Sequence, residues 1–368
     1  MISNFTNLAA NLVATEPNVL IRPIANLFGI IINFLFNIVH SLTPAHSLGL
    51  TIILATIVMR ALMLPLNLNM QKNMAKMREI QPELNKIKEK YGDSKDPEIK
   101  KKMMAEQQAL MAKHGANPLK GCFPLLLTMP IFMGFNFILR QAFLYINRLG
   151  DLYYELAEAV INAPGAIQAM RTTIESLIPE RMREAGNAAW PAYEAGRVTF
   201  NEARAEFGDY IAVNYPESLA RVLNRFSPEN WEYLYAYLPS NYADAILAVN
   251  NRIDTVETFF GLSMVANATW TWPSVIVPFL VGITMMISMY IANLRNGQGG
   301  DDRMKMQQRI MVVIMPVFIG AITFGMPAGV GLFWIVTQIL QGIQDLVLNK
   351  KAGVKFVLPF MKKDAEVS

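Results

Sequence analysis

Leu48-Gly-Leu-Thr-Ile-Ile-Leu-Ala-Thr-Ile-Val-Met-Arg60-Ala-Leu-Met-Leu-Pro65-Leu66 is an apolar run with a cation in its middle. It is about long enough to cross a bilayer, which takes ~20 mostly apolar residues. A guanidinium keeps its charge, and holding it at membrane depth costs roughly 3 kcal/mol on insertion scales. That cost falls if Arg60 faces a polar cavity within the protein. Thr56, Arg60 and Asn67 follow at spacings of four and seven, which puts them on one helix face. The plain alternative is an arginine snorkelling to the interface.

Working outward, composition agrees with a membrane protein: 53% of the 368 residues are hydrophobic and only 17% charged. Further apolar runs predict five spans, at 48–69, 121–146, 271–294, 309–325 and 328–348. Gly325-Met-Pro327-Ala-Gly329 between the last two forces a reversal, so those helices should form an antiparallel hairpin. Before the first span, 1–47 contains an apolar stretch from Pro23 to His40. Its Asn26, Asn33, Asn37 and His40 fall on one face, an amphipathic pattern that reads as a helix lying in the interface. The alternative is a further span. The first basic residue is Arg22, so no signal peptide is expected.

Charge placement sets the expected orientation. Segment 70–120 holds twelve Lys/Arg and seven acids, and no lysine occurs between Lys120 and Lys305. Region 147–270 has nine arginines and sixteen acids, 9 − 16 = −7. The positive-inside rule places 70–120, the loop 295–308 and the basic tail 349–368 in the cytoplasm, with the N-terminus and 147–270 outside. Ser227-Pro228-Glu229 signals a helix start in that outside region. It therefore reads as a helical insertion, its Trp190, Trp231, Tyr233, Tyr235, Tyr237 and Tyr242 forming a small core or an interfacial belt.

The cytoplasmic segment reads as a helical hairpin. Met77, Ile80, Leu84, Ile87 and Tyr91 form one apolar stripe, Gly92 stops the first helix, and Asp96-Pro97 starts the second. Ile99, Met103 and Leu110 continue one face. These stripes either zip the helices together or, with Met70, Met74, Met104 and Met111, offer a pliable apolar surface for hydrophobic segments beside anionic lipid.

One cysteine, Cys122, and three scattered histidines exclude a disulfide framework and provide no metal cluster. Gly297–Asp302 is a linker without the strand context of a phosphate loop. No cofactor, metal or nucleotide is expected, and no enzymatic constellation is visible. Thr337, Gln338, Gln341 and Gln344 are polar groups at membrane depth in the last span, candidates for a groove wall or for helix–helix hydrogen bonds. Asn136 and Arg140 lie four apart in the second span, and Arg140 reads as a snorkelling residue near its outer end.

Three motifs then carry a resemblance. They are Ile80-Gln-Pro82-Glu-Leu-Asn-Lys-Ile-Lys-Glu-Lys-Tyr91-Gly, His114-Gly-Ala-Asn-Pro118-Leu-Lys-Gly121-Cys-Phe-Pro124-Leu-Leu-Leu-Thr128-Met-Pro130-Ile-Phe, and Pro327-Ala-Gly329-Val-Gly-Leu-Phe-Trp334. Together with Arg60, these motifs resemble the YidC-type membrane protein insertases of bacteria, mitochondria and thylakoids. The resemblance covers 48–146 and 273–348. It implies an all-α polytopic membrane protein, with five transmembrane helices around a hydrophilic groove open to the cytoplasm, and a mobile cytoplasmic hairpin. Arg60 matches the groove arginine, and the expected polar lining adds Thr56, Asn67, Thr128, Asn136, Thr337, Gln338 and Gln341. Met74, Met77, Met103 and Met104 would capture substrate. The expected partners are nascent membrane proteins and the bilayer, with the Sec translocon and the ribosome as candidates through the basic cytoplasmic regions. Family members commonly carry glutamine at Thr128, and 147–270 has no expected counterpart at this place. The competing classes are a small-solute or anion transporter using Arg60 as its site, and a scaffold in which Arg60 pairs with Asp345.

Overall fold

The computed structural model describes residues 22–92, 96–116, 130–167, 169, 216–224, 226–294 and 310–351. It is that of an all-α polytopic membrane protein. Among these residues, four helical stretches are long and apolar enough to cross a membrane: Pro23–Leu42, Ser47–Asn73, Ile276–Asn293 and Ala328–Leu348. The chain divides into two compact units, Met1–Ala25 with Ile52–Asn136 and Asn267–Ser368, and Asn26–Thr51 with Phe137–Ala266.

In the first unit, α2 (Ser47–Glu79) runs past the expected end of the span at residue 69 and carries Pro65 inside it. Residues 70–79 are mostly good helix formers (Met, Gln, Lys, Ala, Arg, Glu), so nothing local stops the helix there. The break comes at Ile80, after which α3 (Gln81–Tyr91) opens with Pro82 in its first turn. Gly92 closes α3 with φ +57°, its N–H returning to the Lys88 carbonyl, a left-handed position that favours glycine. α4 (Pro97–Lys113) starts as expected: the Asp96 carboxylate accepts from the Glu98 N–H at 2.9 Å. Ile80, Leu84 and Ala116 form a small core covered by Met77, Leu110 and Met111. Lys90 and Glu106 bridge the two helices at 2.9 Å on the exposed side.

Residues 130–140 are helical (α5), so the described part of the predicted second span begins at Pro130. α11 (Ile276–Asn293) packs against both α12 (Met315–Thr323) and α13 (Ala328–Lys351). A π-helical turn, Ile310–Ile314, precedes α12. Pro316 lacks the N–H that would bond back one turn, and a widened turn is a common way to accommodate that loss. A Cβ on Gly320 would sit 2.9 Å from the Pro278 carbonyl oxygen, and one on Gly331 would collide with Val277. Small residues therefore set these helix contacts, as is usual in membranes. The reversal before α13 is pinned by Ala268 N–H to Met326 O at 2.7 Å and Gly325 N–H to Ala268 O at 3.0 Å. Trp270 stacks on Phe324 with centroids 3.9 Å apart, yet stays 74% exposed, as does Trp272 at 79%.

The second unit contains most of α1 (Arg22–Leu42), followed by α6 (Ala142–Tyr145), α7 (Asn147–Ile161), α8 (Pro216–Leu223), α9 (Pro228–Tyr237) and α10 (Ser240–Glu257). α7 is the hub, packing on α6, α8 and α10. Ser227 caps α9 through the Asn230 N–H, as its sequence indicates. The region is not wholly helical: β1 (Thr258–Phe259) and β2 (Leu262–Ser263) form an antiparallel hairpin. Phe260 and Gly261 at its tip both take positive φ, +50° and +77°. That is the geometry of a two-residue primed turn, which local propensity disfavours when one of the two is phenylalanine.

α1 contains the apolar stretch from Pro23 to His40. Its buried face is Ala25, Phe28, Ile32, Leu35, Phe36 and Val39, and Leu27, Ile30, Phe34, Ile38 and Leu42 are exposed. Both broad faces are thus apolar. Asn33 does not form part of a solvent stripe, because its Oδ1 accepts from the Asn147 N–H at 3.0 Å and so caps the start of α7. His40 donates to or accepts from Ser47 at 3.1 Å and stacks on Phe36.

Candidate functional site

Arg60 lies thirteen residues into α2, and Gln341 lies thirteen residues into α13. At 1.5 Å per residue each is roughly 20 Å from the start of its helix. They meet: Arg60 Nη2 donates to Gln341 Oε1 at 2.5 Å. One turn further along α13, Gln341 Nε2 donates to Asp345 Oδ2 at 2.9 Å. Asp345 is 1% exposed, and a carboxylate that deep requires donors or a cation. An amide suits the middle of this chain, because it accepts toward the cation and donates toward the acid.

The other expected lining residues divide. Thr56 is buried, but its hydroxyl donates to the Ile52 carbonyl at 2.6 Å and so is engaged by its own helix. Asn67, Asn136, Thr337 and Gln338 are half-buried. Asn136 Oδ1, Thr337 Oγ1 and Gln344 Nε2 are buried atoms without a hydrogen-bond partner among the described residues. Phe132 stacks on Trp334 at 4.6 Å, and Phe135 packs on Phe333 at 4.6 Å, fixing α5 against α13. Pro130, Pro327, Gly329 and Trp334 thus occur at helix starts or on this packed seam. Thr128, Pro118, Gly121 and Pro124 lie outside the described residues, as do Trp190, Gly297–Asp302 and the side chain of Met74. Arg140, read as a snorkelling residue, falls in the second unit, where its carbonyl accepts from Asn224 at 3.1 Å.

On the hairpin of α3 and α4, Met77 joins the zip, Met103 is half-buried and Met104 is 52% exposed. Asp345 was not an expected groove residue; its position four after Gln341 on the same helical face was the available signal.

The second unit holds a buried acid of its own. Tyr153 donates to Glu257 Oε1 at 3.1 Å, with both residues buried. Desolvation pushes the Glu257 carboxyl up to about 8, opposed by the Tyr153 hydrogen bond, with neighbouring Asp254 adding to the rise. His46, although exposed, ties the hairpin down: its backbone N–H donates to Thr255 O at 2.8 Å and its ring contacts Thr258 O at 2.5 Å.

Residues 38–173 and 233–355 match the family described as 60Kd inner membrane protein. The match includes 147–173 and 233–270, so the part of 147–270 without a family counterpart narrows to 174–232. The chain is 41% identical over 142 residues to "Membrane protein insertase MisCA" of Bacillus subtilis, covering 38% of this chain and 52% of that protein. It is 41% identical over 124 residues to "Membrane protein insertase YidC 1" of Bacillus cereus, covering 32% and 48%. A longer match, 24% identical over 308 residues, covers 83% of this chain and 76% of "Membrane protein insertase YidC" of Oceanobacillus iheyensis. The chain spans about half the length of the first two relatives. With the family pattern covering most of the chain and four membrane-length helices among the described residues, this membrane-integral protein belongs to the 60Kd inner membrane protein family.

Proposed function

We propose that this chain inserts small membrane proteins into the bilayer and assists their folding, without hydrolysing a nucleotide. The observation that carries the reading is the polar chain Arg60–Gln341–Asp345, set about midway along two membrane-length helices of a family whose relatives are named insertases. A polar cavity reaching partway into the membrane shortens the apolar path for a substrate's hydrophilic tail. Arg60 supplies positive potential for acidic residues in that tail. The substrate helix then leaves sideways into lipid, driven by burial of its apolar surface.

Five spans would surround this groove, with the N-terminus and 147–270 outside and the basic segments 70–120, 295–308 and 349–368 in the cytoplasm. Those segments give anionic lipid headgroups, the ribosome or the Sec translocon a surface to meet. Met104, exposed on α4, supplies apolar capture there, and Asn67, Asn136, Thr337 and Gln338 supply lining. The named relatives give no support to a transporter built on Arg60. The scaffold reading gains the Asp345 contact.

Reconstitution tests the proposal. Proteoliposomes should insert a single-span protein with an acidic translocated tail. Arg60→Ala should reduce insertion by about tenfold or more, since a hydrogen bond to a charged group contributes about 1.5–3 kcal/mol, whereas Arg60→Lys should retain much of it. Wild-type rates with Arg60→Ala would defeat the electrostatic mechanism, and solute flux without insertion would favour transport.

A further inference from the structure

The acid in the polar chain needs a reason. A positive site for acidic tails needs only the arginine, and a buried carboxylate beside it removes net charge from the very place where charge is useful. Asp345 is nonetheless buried and reaches Arg60 through a single amide. We propose that Asp345 is an internal stand-in for the substrate's acidic residue, which holds Arg60 through Gln341 while the site is empty and thereby sets how acidic a tail must be to engage. The inference rests on the insertase reading and names the residue that sets its substrate selectivity.

The geometry explains how the competition works. Gln341 Oε1 occupies the Nη2 donor of Arg60, where a carboxylate would form a stronger, charge-assisted bond. An incoming aspartate or glutamate can displace the amide oxygen, but it brings a second negative charge toward Asp345. A tail with several acids overcomes that repulsion, and a neutral tail gains nothing by displacing Gln341. Selectivity thus arises from a repulsive element as well as an attractive one. In the resting protein the same pair lowers the cost of keeping Arg60 at membrane depth.

Three variants separate the possibilities. Asp345→Asn keeps the size and a hydrogen-bonding partner for Gln341 but removes the charge. In proteoliposomes it should raise insertion of a tail with one acid, relative to a neutral tail, by about fivefold or more, the lower end of typical couplings between sites. Gln341→Glu places an acid directly on Arg60 and should lower the same ratio. Asp345→Glu should restore wild-type behaviour. In parallel, the rate at which phenylglyoxal modifies Arg60 in the purified full-length protein, read by mass spectrometry, should rise several-fold in Asp345→Asn. An unchanged labelling rate in Asp345→Asn, or an unchanged tail ratio in that variant while the wild type inserts normally, would overturn the assignment. If wild-type vesicles insert neither tail, the insertase reading itself fails. A faster labelling rate in Asp345→Asn would still establish the coupling of Asp345 to Arg60 in that case.

Discussion

The Tyr153–Glu257 pair makes the second unit's stability depend on pH in a direction opposite to ordinary acid denaturation. Glu257 is 3% exposed, at the junction of α10 and β1, where its backbone also accepts from Met264 at 3.0 Å. In the unfolded chain its carboxyl titrates near 4.5, and in the folded chain near 8. Below 4.5 both states hold the proton and the full stability is present. Between 4.5 and 8 the folded state holds a proton that the unfolded state has lost, so stability falls by about 1.4 kcal/mol per pH unit. The whole window, 8 − 4.5 = 3.5 units, amounts to about 5 kcal/mol, of which about 3 kcal/mol falls between pH 5 and 7. The Asp254 carboxyl is also raised by desolvation and adds in the same sense. Hydrogen exchange of α7 and α10 amides in the full-length protein, corrected for intrinsic rates, should show protection falling from pH 5.5 to 7.5. Glu257→Gln removes the titration while keeping an acceptor for the Tyr153 hydroxyl, and should flatten most of that slope. An equal slope in Glu257→Gln, or no slope in the wild type, would refute the reasoning.

Gly331→Leu should prevent correct packing of α13 on α11, because even a Cβ there collides with Val277; overpacking costs about 1–3 kcal/mol or more, read as a lowered midpoint in a thermal unfolding assay in detergent. A photocrosslinker at Met104 should trap nascent hydrophobic segments, whereas one at Met77, committed to the hairpin core, should trap few; equal yields would remove the capture role. Phe260→Asn should stabilise the β hairpin by relieving a phenylalanine held at φ +50°, by about 1 kcal/mol, visible as slower exchange at Thr258 and Ser263. Replacement of 151–264 by a Gly/Ser linker should retain insertion, since Ala268, which pins the α12–α13 reversal, is kept; loss of insertion in a folded variant would make the region part of the machine.

Signals that act within a few residues were legible in the chain. Apolar length marks membrane helices because a backbone in lipid must satisfy its own hydrogen bonds. Asp96 and Ser227 cap the helices they precede, Gly92 ends another, and the stripe from Met77 to Leu84 zips the hairpin. Arg60 could be singled out for the same reason, since a charge in an apolar run is unfavourable whatever surrounds it. What answers that charge could not be read locally: Gln341 is 281 residues away, and any of several polar groups on the last span had the right spacing. The fold also decided that Asn33 caps α7 and that His46 holds a hairpin, and it placed Phe260 in a left-handed turn. Each depends on backbone groups brought together from distant parts of the chain, where tertiary contacts outweigh the weaker preferences of single residues.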